Sequence, residues 1–323
     1  MPTRNLAALI LLGVALNSSS TVFAQPDFTL IPRDDMYPDG VSPTHVFARI
    51  DLLDRSLDAL LEHSEIVLKD TDYPRAVETR LRPMHVYQCV LICTWRLQTL
   101  NDRPEFHIKH IPTISANPRK YDPRDVFFIV DLMLQNVRQM GANLGVQLPT
   151  DEKAFADKTP TDVYNRGVHV FIKLHALCGY DELSPSEVFA QTVRGVQDVK
   201  SMLQQTDPAC RYRIDAPPTV GERKPADVFA KCLEVREQVN VVRQSLGMET
   251  TPVPNLPDRD AIRPRDVFFQ TQVIIAELNL LKAPLATKSS SPLTIPVTGK
   301  TPTHVYEQAT MILHLLKQVK LPE

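Results

Sequence analysis

DPRDVFF (Asp122–Phe128) and RPRDVFF (Arg263–Phe269) are nearly the same seven-residue phrase, and both belong to a frame that decides the fold. The frame, Pro-x-(Asp/Glu/His)-Val-(Phe/Tyr), occurs eight times. Its prolines are Pro43, Pro83, Pro123, Pro160, Pro185, Pro225, Pro264 and Pro302. The last four copies repeat the first four in order. SPTHVFA is answered by SPSEVFA, DPRDVFF by RPRDVFF and KTPTDVY by KTPTHVY, each 141 or 142 residues further on. Agreement in both wording and spacing predicts one unit, itself built of four smaller repeats, present twice in tandem.

Each copy has the grammar of a helix start. Proline suits the first helical position, where its missing N–H leaves no bond unmade. Ser42, Asp122, Thr159, Ser184 and Thr301 precede it and can cap. The residue two after the proline is the third helical position, where a side chain can bond back to the cap and where negative charge suits the helix dipole. Downstream, with the proline as zero, apolar residues fall at 3, 7, 10, 14 and 17. The first repeat gives Val46, Ile50, Leu53, Leu57 and Leu60, and the third gives Val126, Val130, Met133, Val137 and Met140. Alternating steps of four and three mark the seam of helices packed side by side. Gly167, Thr192, Gly195 and Thr271 interrupt that seam and predict closer or looser packing there. Position 4 is aromatic in every repeat and widens the buried stripe.

The expected fold is therefore all-α: eight similar helices in two duplicated four-helix units, as bundles or a short helical repeat array, with long proline-rich linkers. The linkers leave two arrangements open. Helices alternate up and down, or the linkers run back so that all four starts of a unit meet at one end. Only GYDEL (Gly179–Leu183) reads as a short turn, which predicts an antiparallel hairpin of the fourth and fifth helices. Residues 1–24 read as a signal peptide, with Arg4 before the apolar run Leu6–Leu16 and cleavage after Ala24. The units are expected over 25–180 and 181–323. The mature chain is expected in the periplasm or outside the cell, with no integral membrane segment.

Composition excludes more than it assigns. The chain of 323 residues is 43% apolar and 23% charged, enough to build cores. A net charge of −2 gives no basic excess for nucleic acid. Ten glycines against 27 prolines argue against phosphate-cradling loops. The five cysteines, Cys89, Cys93, Cys178, Cys210 and Cys232, include no CxxC, and an odd count leaves at least one thiol unpaired.

The candidate site residues are those at position 2: His45, His85, Asp125, Asp162, Glu187, Asp227, Asp266 and His304. Capping explains all of them. Convergence of the starts would instead gather ligands for a divalent transition metal. No cofactor is otherwise called for. Phe128 and Phe269 stand out because position 5 faces away from the seam, so they need cover from a linker, the other unit or a partner. Trp95, unique in the chain, is expected as a packing residue or at a contact with a partner or between units. His169 and His175, six apart, do not share a helix face and read as surface residues. No catalytic motif is present, and duplication favours a binding or scaffolding module for a protein or small ligand over an enzyme.

Overall fold

A computed structural model of the chain describes residues 40–68, 80–108, 120–208, 221–290 and 297–319. The signal-peptide reading and Cys210 lie outside these residues. Eight α-helices start on the eight frame prolines: α1 (Pro43–His63), α2 (Pro83–Asn101), α3 (Pro123–Leu144), α4 (Pro160–Leu177), α5 (Pro185–Thr206), α6 (Pro225–Ser245), α7 (Pro264–Lys282) and α8 (Pro302–Leu316). The described residues contain no strand, so the fold is all-α. No described helix is long and apolar enough to cross a membrane.

The start grammar operates at every helix. All eight N-cap backbone N–H groups donate to the side chain at position 2, from Ser42 N to His45 Nδ1 (3.1 Å) through Arg263 N to Asp266 Oδ2 (2.7 Å). The cap itself can be Arg or Lys, as at Arg82 and Lys224, because the return bond comes from position 2. The seam positions are buried without exception in the first and third repeats.

Helices α1 and α2 each pack against α3 and α4, and α5 and α6 each pack against α7 and α8. Each set of four is therefore a square in which the first and second helices stand on a diagonal. The helices of a set run parallel. Pro43, Pro83, Pro123 and Pro160 meet at one end with Val46, Val86, Val126 and Val163, and the second set closes on its own four prolines and valines in the same way. Bonds between starts recur 142 residues apart. Lys158 N donates to Thr44 Oγ1 as Lys300 N does to Ser186 Oγ, and Leu81 N donates to Thr161 Oγ1 as Arg223 N does to Thr303 Oγ1.

The linkers make parallel packing possible. After Gly145 ends α3 in the left-handed conformation (φ 71°), the chain returns along α1. Asp151 O accepts from Arg55, Glu152 pairs with Arg49, Phe155 meets Phe47 edge-on and Lys158 reaches Thr44. The linker after α6 returns along α6 itself, where Glu249, Thr251 and Pro252 carbonyls accept in turn from Arg243, Asn240 and Arg236. An extended strand covers about twice the length per residue of a helix, so a linker shorter than its helix spans it.

The sets lie antiparallel, with α2 against α7. His85 at the start of α2 meets Glu277 late in α7, while Gln88 meets Gln272. Helices α4 and α5 accordingly run in opposite directions, but they do not pack along their lengths as the expected hairpin. The helices between which the chain turns at GYDEL are held apart by α2 and α7.

Candidate functional site

The turn at Gly179–Leu183 lies where the end of α4, the second half of α2 and the starts of α5 and α7 come together. Two cavities open there and share Phe171, Tyr180 and Glu182 in their walls. The larger, about 740 Å3, is walled by Trp95 and Arg96 of α2, by Glu187 and Ala190 of α5, and by Val297 and Thr298 before α8. The smaller, about 250 Å3, is bounded by His175, Asp181, Arg263 and Arg265.

Arg96 organises the junction. Its guanidinium donates to Glu187 Oε1 at 2.7 Å and lies over the rings of Phe171 and Tyr180, 5.4 and 5.0 Å from their centroids. It thus joins α2, α4 and α5 through one charge. Arg194 of α5 sits over Trp95, 4.5 Å from the ring centroid, so Trp95 lies at the junction between the sets. Phe269 is buried there as well, edge-on to Phe171 at 5.6 Å, with its carbonyl accepting from Tyr164 Oη. Phe128, the corresponding residue of the first set, is also buried.

His175 departs from its expected place on the surface: it is 5% exposed. Its ring stacks between Phe171 (5.9 Å) and Tyr180 (5.1 Å). Neither ring nitrogen makes a hydrogen bond of good geometry among the described residues; the Glu182 backbone stands beside the ring, and Glu187 Oε1 is 3.9 Å from Nδ1. Burial, reinforced by the Arg96 charge, pushes its pKa down to about 4. At neutral pH it is a neutral imidazole with one donor and one acceptor, neither of them well bonded. Leaving such groups dry and unbonded costs a few kcal/mol, roughly 1–3 for each. His169 is half-buried, and burial lowers its pKa.

The position 2 residues are not brought together here. Each turns to its own N-cap, and proline and valine, rather than carboxylates or imidazoles, line the axis where the starts meet. Among the described residues, no three His, Cys, Asp or Glu side chains gather as a metal set. Two of the eight take on further work. Glu187 receives Arg96 in the junction. His85, fully buried, accepts from Arg82 N at Nδ1, which places its proton on Nε2, 2.7 Å from Glu277 Oε1. Glu277 also receives Thr251 Oγ1 at 2.7 Å and the buried Arg243 guanidinium. Burial alone would raise its pKa, but His85, Arg243 and Thr251 together hold it down at about 2. Cys89, Cys93, Cys178 and Cys232 are free thiols, and burial raises the pKa of Cys232 to about 12.

Arg96, Tyr180 and Glu182 were not singled out in the sequence. The available signal was a comparison of the two copies. Ile92 and Trp95 of α2 correspond to Glu234 and Glu237 of α6, both exposed, and Ala276 of α7 corresponds to the exposed Gln135 of α3. Each of these pairs is apolar in one set, where the sets meet, and polar in the other. No family model, curated protein or solved structure matches this chain.

Proposed function

We propose that this chain is an exported binding protein that holds a small organic ligand in the cleft between its two sets of helices. The larger cavity carries the reading: about 740 Å3, walled by side chains from both sets, with aromatic surface beside charged groups. Sites for small molecules favour such clefts at interfaces between units, where apolar walls supply affinity and a few polar groups fix orientation. His175, with its edge poorly satisfied at the adjoining cavity, supports the same reading. Export rests on the amino-terminal residues alone.

Trp95 is the only tryptophan and lines the cleft, so its emission reports occupancy. A ligand from a panel of small metabolites will change that emission saturably and raise the melting temperature. Tyr180→Ala will abolish both effects without unfolding the protein, since Tyr180 is 44% exposed. A panel that leaves emission and melting unchanged, or effects that survive in Tyr180→Ala, refutes the cleft as the site.

A further inference from the structure

We infer that the ligand is a neutral saccharide of one or two rings, held in the larger cavity. The inference rests on the cleft reading above and adds the chemical class. The wall of that cavity offers acceptors and donors together. Asp102 and Glu182 are exposed residues in the wall, and neither carboxylate has an ion-pair or hydrogen-bond partner among the described residues. Arg96 donates to Glu187, and Ser186 Oγ accepts from Lys300 N. A guanidinium carries five N–H groups and a serine hydroxyl one O–H, so both residues retain hydrogens to donate. Charges of both signs are interleaved: Arg96 is paired with Glu187 in the wall, and Arg103 follows Asp102 and reaches Leu177 O at the end of α4.

A simple anion would meet two free carboxylates, and a simple cation would meet Arg96 and leave the donors unused. A hydroxyl both donates and accepts, so a ring of hydroxyls answers both kinds of group at once. The apolar part of the wall gives the second indication. It is mainly aromatic, from Trp95, Phe171, Tyr180 and Phe268, with few aliphatic side chains to take a lipid tail. Flat rings suit the C–H faces of a sugar, and Tyr180, 44% exposed, keeps ring surface that Arg96 does not cover. The volume of about 740 Å3 lies within the roughly 300–1,000 Å3 of small-molecule sites.

The test uses the full chain and Trp95 emission, titrated with glucose, galactose, mannose, maltose, cellobiose and lactose. At least one sugar should bind saturably. Raising sodium chloride from about 0.05 M to about 0.5 M should change its affinity less than about twofold, because an uncharged ligand has no charge to screen. Asp102→Ala and Glu182→Ala should each weaken that sugar about tenfold, the loss of one hydrogen bond to a charged acceptor. Both residues are exposed, so neither variant threatens the fold, and unchanged melting temperatures check this. Binding that falls steeply with salt, or that survives either variant unchanged, overturns the saccharide assignment. Silence of all these sugars while another member of the metabolite panel responds also overturns it and leaves the cleft standing. If the whole panel is silent as well, the cleft reading falls with it.

Discussion

At the frame's position 2 the helix requires an acceptor that can reach the N-cap N–H, and three residue types supply one. Asp and Glu offer a carboxylate oxygen, and His offers the Nδ1 lone pair, as at His304, which accepts from Thr301 N at 3.1 Å. This explains why a chain that repeats its proline and valine faithfully varies here. It also gives a prediction. His304→Ala should cost about 1 kcal/mol in urea unfolding, the ordinary value of a lost cap bond. His304→Asp should keep the bond and add favourable charge at the dipole's positive end. A loss equal to that of the alanine variant would show that the bond contributes nothing. The bond was legible in the sequence because it is local, spanning three residues. The burial of His175 was not, because it depends on Tyr180 and Phe171 closing over it from a turn and a helix face that spacing alone does not bring together.

At the scale of the helix, parallel packing in register sets the demand for small residues. Gly195 lies at the level of Ile312, the same position of the partner helix, and a Cβ built on Gly195 would come within 2.8 Å of Ile312 Cδ1. Gly167 similarly faces Cys89 Sγ at 3.0 Å. Both glycines were readable as interruptions of the seam, while their opposite numbers were not. Gly195→Val should destabilise the protein by roughly 1–3 kcal/mol through overpacking. Thermal melting of Gly195→Val beside Gly195→Val/Ile312→Ala checks the cause, since the second change should recover part of the loss if the contact is responsible. Parallel alignment sets four helix dipoles side by side, an arrangement antiparallel bundles avoid. Here the extended linkers, bonded to α1 and α6 along their length, make antiparallel connections unnecessary. The position 2 acids place negative charge at most of the clustered N-termini.

Across the whole molecule, the two sets are joined by a polar seam as well as by aromatic packing. Glu277 is the centre of that seam, bonded to His85 of the other set and to Arg243 and Thr251 of its own. Its folded pKa of about 2 lies below the unfolded value of about 4.3. The carboxylate therefore stabilises the fold fully above pH 4.3 or so, and this contribution disappears as the pH falls toward 2. Glu277→Gln should lower stability at pH 7 by about 3–5 kcal/mol, because Arg243 is left buried and uncompensated, and should flatten the decline between pH 5 and pH 2.5. Urea unfolding across that range measures both, and an unchanged slope would assign the acid sensitivity to other carboxylates. The sequence by itself determined the eight helices, their starting residues, their buried stripes and the correspondence of the two sets of repeats, because each is written in contacts a few residues apart or in periodicity along one helix. Only the tertiary structure decided that the helices of a set run parallel, that α2 meets α7 and that a cleft with a buried, poorly satisfied histidine opens beside a turn. These depend on which faces meet across more than a hundred residues, where similar stripes permit several pairings and the linkers, the closely facing glycines and the few apolar positions at the junction select one.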